Sequence, residues 1–181
     1  MNDYINCINV CKRHGIATLV IHTPMKKHQI YDIKIGLNKI KYIAEYAQAL
    51  EVNIAIENLS RLDYLQDIFT NIKNKNLGFC YDSGHDNYHT RGSDLLSVYG
   101  DRLMAIHLHD NDETSDQHAL PGDGTVNWAK IKKSIVNSAY SGPITLELAE
   151  KLPEKYKYID AEMFLKQAFN RIQSVFNSHD D

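Results

Sequence analysis

The chain has 181 residues, with 20 Lys and Arg against 23 Asp and Glu, a net charge of -3 and a pI near 6.3. The positive charges are scattered, so composition gives no electrostatic footprint for stable binding to nucleic acid or to a membrane surface. Three cysteines are too few for a disulfide framework or a cysteine-based zinc site. No run approaches the ~20 apolar residues of a membrane span. We expect a single cytoplasmic domain over residues 1–181.

Short apolar runs alternate with amphipathic segments along the chain. The apolar runs predict strands over 16–21, 52–56, 77–81, 103–106 and 144–148. Apolar residues at helical spacing predict helices over 3–14, 30–50, 62–72, 93–99, 127–138 and 160–176. Strands that are apolar throughout and alternate with helices are typical of a parallel sheet covered by helices. The sequence therefore predicts an α/β protein with parallel strands.

The predicted strands end in residue types that bind metals. His22, Glu57, Asp82 and His107 follow the first four runs, and Glu147 lies near the end of the fifth. Because the C-terminal ends of parallel strands lie on one face, these side chains are expected to converge. A single carboxylate at a strand end is usually a loop residue or a helix cap. The prediction of a metal site depends on the recurrence of such residues at all five runs. Oxygen and imidazole donors suit Mn, Mg, Co or Zn alike.

The segment from Met104 to Gly124 is the richest in metal-ligand types. Its imidazoles and carboxylates before a Pro-Gly turn include those of His107, His109, Asp110, Asp112, Asp116 and His118. This density predicts a metal site, and the alternative is a solvated acidic loop with surface histidines. We expect His109 to point away from the site and to have a structural role.

Several short motifs carry a family resemblance when taken together. They are Ile56-Glu57-Asn58, Asp82-Ser83-Gly84-His85, the segment 106–111 (IHLHDN), Asp116-Gln117-His118 with the Pro-Gly-Asp-Gly turn at 121–124 and Trp128, and Leu146-Glu147. With these the sequence resembles the sugar phosphate isomerase/epimerase family. That family has a xylose isomerase-like TIM barrel and belongs to the AP endonuclease family 2 superfamily, together with endonuclease IV.

The resemblance implies a partial (β/α) barrel with parallel strands. Eight strands and ~250 residues are usual for this barrel, so the chain would hold the last five of eight βα units and be truncated at its N-terminus. Open sheet edges at 16–21 and 144–148 would then favour a homo-oligomer.

The resemblance also implies residue roles. Glu57, Asp82, His107 and Glu147 would bind the metal, with Glu57 and Glu147 as acid and base. His85 would bind a substrate oxygen or a second metal. Asp116, His118 and His22 match positions that hold additional zinc ions in the endonuclease IV branch. The alternatives are that His85 caps the segment after it and that His22 is a buried, hydrogen-bonded histidine.

The activity implied by the resemblance is metal-dependent isomerisation or epimerisation of a sugar, sugar phosphate or polyol. A divalent metal would act as Lewis acid during proton transfer next to a carbonyl. The alternatives are an endonuclease IV-like phosphodiesterase on abasic DNA, which the near-neutral charge disfavours, and an inactive barrel fragment. Asp112 and Glu113 stand where ketose 3-epimerases have an arginine, which argues against a free-ketose epimerase. We expect a small-molecule sugar or polyol as partner, and neither a membrane nor a nucleic acid.

Overall fold

The structure is a computed structural model that describes residues 1–23, 32–148 and 154–177. Its strands are β1 (Thr18–Ile21), β2 (Asn53–Glu57), β3 (Leu77–Asp82) and β4 (Leu103–His107). Its α-helices are α1 (Asn2–His14), α2 (Ile33–Ala49), α3 (Leu62–Asn71), α4 (Ser83–His89), α5 (Leu95–Tyr99), α6 (Trp128–Val136) and α7 (Ala161–Asn177). Two units can be described separately. The first comprises Met1–Tyr81 with Asp101–Ala105, and the second Asp82–Gly100 with Ile106–Asp181.

The first unit is built on the sheet, whose strand order is β1-β2-β3-β4. β1 and β2 are parallel, in register from Thr18↔Asn53 to Ile21↔Ile56. β2 and β3 are parallel as well, and Glu57 is the register partner of Cys80. The sequential order and the parallel direction confirm the βα pattern expected from the sequence.

The two central strands, β2 and β3, are buried on both faces. Ile54, Ala55 and Ile56 are consecutive in β2 and each is 0% exposed. Because successive side chains of a strand point to opposite faces, burial of three in a row means that both faces are covered. The buried residues of α2 and α3 supply part of this cover, and Phe69 of α3 packs edge-on against Phe79 of β3.

Three strands run one residue further than their apolar runs. β2, β3 and β4 end at Glu57, Asp82 and His107, so these polar residues are the last residues of their strands.

Helix α2 begins after Asp32, whose carboxylate accepts hydrogen bonds from Lys34 N at 2.9 Å and Ile35 N at 3.3 Å. Residues 30 and 31 of the predicted helix lie outside the described residues.

The second unit contains a helix that the sequence did not predict. Helix α4 follows β3 directly, because the Asp82 side chain accepts a hydrogen bond from His85 N at 2.7 Å and caps the helix. Helix α6 begins in the same way, with Asn127 accepting from Lys130 N at 3.0 Å. Helix α7 packs Phe164 and Ala168 against a small core of Leu120 and Tyr156.

The predicted fifth strand over 144–148 does not form as a strand. It is reduced to one parallel bridge, Leu108↔Leu146, with hydrogen bonds from Leu108 N to Thr145 O at 2.9 Å and from Glu147 N to Leu108 O at 3.1 Å. The run is apolar in sequence but not buried, since Ile144 is 40% exposed. The segment has the expected parallel direction but is much shorter than the predicted strand.

Gly78 in β3 provides a test of how tightly the sheet packs. A Cβ at this position would lie 2.4 Å from Met104 Sδ and 2.5 Å from the carbonyl oxygen of Arg102. Gly78→Ala is therefore expected to lower the free energy of unfolding by about 1 to 3 kcal/mol, because the backbone of Arg102 has to shift. Urea denaturation measures this change.

Gly100→Ala is the matched control for Gly78→Ala. A Cβ there meets nothing within 4 Å, and Gly100 has a φ of -56°, which alanine adopts readily. Its effect should stay within about 0.5 kcal/mol. Equal unfolding midpoints for the two variants would contradict the close packing of β3 against the start of β4.

Candidate metal centre

Three predicted ligands come together in the second unit. Asp82 is the last residue of β3, His107 is the last residue of β4, and Glu147 follows the Leu108↔Leu146 bridge. Each offers a donor atom within 4.8 Å of the other two, and His107 Nδ1 is 3.0 Å from Glu147 Oε2. The side chain of Asp82 is 0% exposed, that of His107 22% and that of Glu147 42%. One imidazole and two carboxylates, open to solvent on the Glu147 side, fit a divalent metal.

The other two predicted strand-end residues lie together in the first unit. His22 Nε2 is 3.2 Å from Glu57 Oε2 at the end of β2. The Glu57 side chain is 1% exposed, whereas that of His22 is 57% exposed. The alternative interpretation of His22 as a buried histidine is therefore wrong. Its assignment to a second metal stays a prediction, as does that of Glu57 to the first.

A second group of donors occurs within the second unit. His85, His109, Asp116 and His118 each offer an atom within 4.8 Å of the others, and we call them the four-donor cluster. Asp116 Oδ2 is 3.2 Å from His85 Nε2 and 3.3 Å from His118 Nε2. The alternative that His85 caps the segment after it is wrong, because Asp82 is the cap of α4.

Asp116 and His118 shift each other's protonation. Burial alone would raise the pKa of Asp116, but hydrogen bonds from His118 and His85 outweigh it and hold the pKa well below its usual range. The hydrogen bond to Asp116 in turn raises the pKa of His118 to about 9. The other ring nitrogen of His118, Nδ1, lies 3.0 Å from the Glu147 carbonyl oxygen, to which it can donate. That arrangement leaves Nε2 facing Asp116.

His109 is the candidate site residue that the sequence interpretation missed. Its side chain is 0% exposed, and its Nε2 lies 3.1 Å from Asp82 Oδ1 and 3.7 Å from Asp116 Oδ1. Its ring stacks on His118 with centroids 4.0 Å apart. The expectation that it points away from the site was wrong, because residues two apart on an extended chain share a face. The H-x-H spacing of His107 and His109 was the signal that could have found it.

Asp110 holds the loop that brings Asp116 and His118 to this cluster. Its carboxylate is buried and accepts from Gly122 N at 2.8 Å, Trp128 Nε1 at 2.9 Å and Val126 N at 3.0 Å. Asp110 also forms an antiparallel bridge with Ala119, so the chain folds back on itself between them. Asp110 is thus a structural acceptor. The Asp112 side chain is exposed and accepts a hydrogen bond from Thr114 N. Among the described residues, neither the Asp110 nor the Asp112 carboxylate belongs to a metal-ligand group.

The sequence profile of the xylose isomerase-like TIM barrel matches residues 1–168, and the chain belongs to this family. The solved structure of the IolI protein with a bound zinc atom superposes with a TM-score of 0.82 at 17% identity, covering 97% of this chain and 68% of that one. This likeness supports the xylose isomerase-like fold.

Two curated relatives overlap with part of the chain. An uncharacterized protein of Sinorhizobium fredii is 38% identical over 103 residues, which cover 53% of this chain and 33% of the relative. The inosose isomerase of Halalkalibacterium halodurans is 23% identical over 159 residues, which cover 79% of this chain and 55% of the relative. The chain therefore spans about a third to a half of these relatives. Across the residues that the structure describes, helices long and apolar enough to cross a membrane are absent.

Replacing Asp110 tests the loop that carries Asp116 and His118. In Asp110→Asn an amide NH2 replaces one carboxylate oxygen. Buried N–H groups that bond that oxygen in the unsubstituted chain then lose their acceptor. We expect the free energy of unfolding to fall by about 3 kcal/mol, since hydrogen bonds to a charged group are worth about 1.5 to 3 kcal/mol each and do not add fully. Chemical denaturation gives the value. Asp101→Asn, at an exposed carboxylate, is the control, and a loss of equal size in both variants would refute the special role of Asp110.

Proposed function

We propose that the chain is a metal-dependent isomerase or epimerase acting on a sugar, sugar phosphate or polyol-derived ketone. Its metal ligands are Glu57, Asp82, His107 and Glu147, and the metal is Mn, Mg, Co or Zn. The observation that carries the proposal is the grouping of Asp82, His107 and Glu147, whose donor atoms lie within 4.8 Å of one another. Asp82 and His107 end strands and Glu147 follows the Leu108↔Leu146 bridge, which resembles the sites that TIM-barrel enzymes build at the C-terminal ends of their strands.

Glu57 is added to the site on the strength of the strand register. It is the last residue of β2 and pairs with Cys80, two residues before Asp82 on β3. Parallel strands have their C-terminal ends at one edge of a sheet, which favours a shared role for Glu57 and Asp82. Burial of the Glu57 carboxylate is in keeping with a metal ligand, because an ionised group inside a protein needs a compensating charge.

The proposed chemistry moves a proton between two carboxylates and a carbon atom. The chemistry that a bound divalent metal supplies is Lewis-acid polarisation of the substrate carbonyl oxygen. One of Glu57 and Glu147 removes the proton from the carbon next to the carbonyl, and the other returns it. The partial exposure of Glu147 and His107 lets a substrate approach from that side, whereas Asp82 is fully enclosed.

The substrate class is supported by the relatives. Inosose, the substrate named for the Halalkalibacterium halodurans relative, is a ketone derived from a cyclic polyol. A polyol-derived ketone offers a carbonyl and adjacent hydroxyl oxygens to a metal centre. We assign this chain to that substrate class. The absence of a matching arginine near Glu113 disfavours a free ketose as substrate.

His22, His85, Asp116 and His118 are proposed to bind substrate oxygens or a second metal. The contacts of Asp116 with His85 and His118 favour the metal for these three. The same contacts support a second candidate function, metal-dependent hydrolysis of a phosphodiester at abasic DNA, in which several ions share the charge. The net charge of -3 disfavours this function, because binding a DNA backbone requires clustered positive charge.

The proposed function is tested with Glu147→Gln. Exchange of the hydrogen next to the carbonyl of an inosose with deuterium from solvent reports the proton-transfer step directly. We expect exchange by the unsubstituted chain loaded with Mn, Co or Zn, and a loss of at least about 100-fold in Glu147→Gln, the range typical of a general acid or base. Mass spectrometry of the recovered inosose measures it.

Two controls complete this experiment. Glu162→Gln replaces an exposed glutamate of α7 and should keep full exchange. A duplex oligonucleotide with one abasic site tests the second function in parallel. Unchanged exchange in Glu147→Gln would end the isomerase proposal, and cleavage of the duplex by the same preparation would replace it with the phosphodiesterase.

A further inference from the structure

We infer that a cleft between the turn at 121–123 and helix α7 binds a neutral sugar. The cleft lies within the second unit and has a volume of ≈ 450 Å³. Its walls include that turn, Trp128 of α6, and Asn170, Arg171 and Ser174 of α7. Pockets for small molecules commonly have volumes of roughly 300 to 1,000 Å³. The inference goes beyond the proposed function, because none of these residues belongs to a metal-ligand group found among the described residues.

Arg171 is fixed in the wall of the cleft by three acceptors. Its Nη1 donates to Pro121 O at 3.1 Å and to the buried carboxylate of Asp123, and its Nη2 donates to Tyr156 Oη at 2.9 Å. A guanidinium has five N–H donors, so two of them lack an acceptor among the described residues. The Arg171 side chain is 34% exposed, which leaves these two donors available to a ligand. Their position is set before any ligand binds.

The charges in the cleft favour a neutral ligand. Among the described residues that line it, Arg171 and Asp123 are the ionisable ones, and they form an ion pair. The Asp123 carboxylate also accepts from Tyr156 Oη at 2.6 Å. Its negative charge offsets that of Arg171 and would repel an anion bound to the same guanidinium. A ligand without charge avoids this repulsion and still gains the two spare donors of Arg171.

Asn170 and Ser174 lie one turn apart on α7 and add both kinds of polar group. Ser174 Oγ donates to Asn170 O at 2.9 Å, so its lone pairs remain able to accept a hydrogen bond. The side-chain amide of Asn170 offers donors and an acceptor. A hydroxyl group both donates and accepts, whereas a carboxylate only accepts and an ammonium only donates. This mixture of donors and acceptors therefore matches a ligand with several hydroxyl groups.

Trp128 gives the cleft an apolar wall. Its Nε1 donates to Asp110 Oδ2 at 2.9 Å, which fixes the orientation of the part-buried ring. Because the N–H edge of the ring bonds Asp110, the part of the ring that lines the cleft is carbon. A sugar ring has C–H groups on its faces and hydroxyl groups at its rim, so it can contact the indole and the polar groups of α7 together.

The competing interpretation is that Arg171 only anchors the turn at 121–123 to α7. In that case the cleft takes no ligand, and the contacts of Arg171 with Pro121 and Asp123 are purely structural. Asn170 and Ser174 then have nothing to bind. The two interpretations differ in whether a sugar binds and in whether binding depends on Asn170 and Ser174.

Trp128 is the single tryptophan of the chain, so its fluorescence and its indole N–H resonance report on this cleft directly. Methyl β-glucopyranoside is the probe, because its ring cannot open to a carbonyl and it cannot undergo the proposed proton transfer. We expect both signals to change with added glycoside and to saturate. Asn170→Ala should raise the half-saturating concentration about 3- to 10-fold, the effect of one lost hydrogen bond. Combining it with Ser174→Ala should raise it about 10- to 100-fold.

The matched control is Asn177→Ala. Asn177 is an exposed asparagine of the same helix that does not line the cleft, so its variant should give the titration curve of the unsubstituted chain. Equal half-saturating concentrations in Asn170→Ala and Asn177→Ala would overturn the inference. So would the absence of any change in both Trp128 signals. Saturation by inorganic phosphate in place of the glycoside would overturn the assignment to a neutral ligand.

A titration of Glu147→Gln separates this site from the proposed metal centre. We expect that variant to bind the glycoside as the unsubstituted chain does, because Glu147 does not line the cleft. A loss of glycoside binding in Glu147→Gln would mean that the signal comes from the metal centre, and the inference would be wrong. Glycoside binding by an unsubstituted chain that shows no deuterium exchange would count against the proposed isomerase alone.

Discussion

The buried carboxylate of Asp110 is the interaction on which the arrangement of the second unit depends. It satisfies three donors from the chain between Gly122 and Trp128, and its backbone pairs with Ala119. An ionised group can be buried in this way because several N–H groups compensate for its lost hydration. The hairpin that results returns His118 to within stacking distance of His109. Without this anchor, Asp116 and His118 would belong to a solvated loop.

The two donor groups of the second unit are in contact with each other. Asp82 belongs to the group with His107 and Glu147, and its Oδ1 also lies 3.1 Å from His109 Nε2. Glu147 contacts His107 through its carboxylate and lies 3.0 Å from His118 Nδ1 through its carbonyl oxygen. A shift in either group therefore reaches the other through the contact of Asp82 with His109 or that of Glu147 with His118. Contacts to the atoms behind a donor atom set its orientation, and these contacts constrain the side chains of both groups.

Much of the architecture could be predicted from the sequence, because it depends on local patterns. The runs around Ile54 and Phe79 are apolar throughout, and that pattern is typical of strands buried on both faces. The polar residue after each run marked the strand ends at Glu57, Asp82 and His107. The segment 144–148 has the same apolar pattern but too little pairing or burial to form a strand, and neither quantity can be read from a local pattern. Helix α4 went unpredicted because it is short and depends on a cap from Asp82.

The position of His109 could not be worked out from the local pattern in the same way. Its partners in the cluster come from the helix after β3 and from a loop that returns through Asp110, and their proximity depends on tertiary contacts. The spacing of two residues from His107 could have indicated the direction of the side chain, but not which groups lie opposite it. A local sequence pattern can therefore predict a metal-ligand residue at a strand end. Which residues form a cluster between loops depends on the tertiary contacts that position those loops.

The hydrogen bonds of Ser83 and Asn111 have a consequence for motion within the second unit. Through these two side chains the backbone at His109 and the backbone at Gly84 are tied together, so the start of α4 and the chain after β4 have little freedom to move apart. Ser83, His109 and Asn111 are buried, so water does not compete for these bonds. A displacement of one segment therefore carries the other with it.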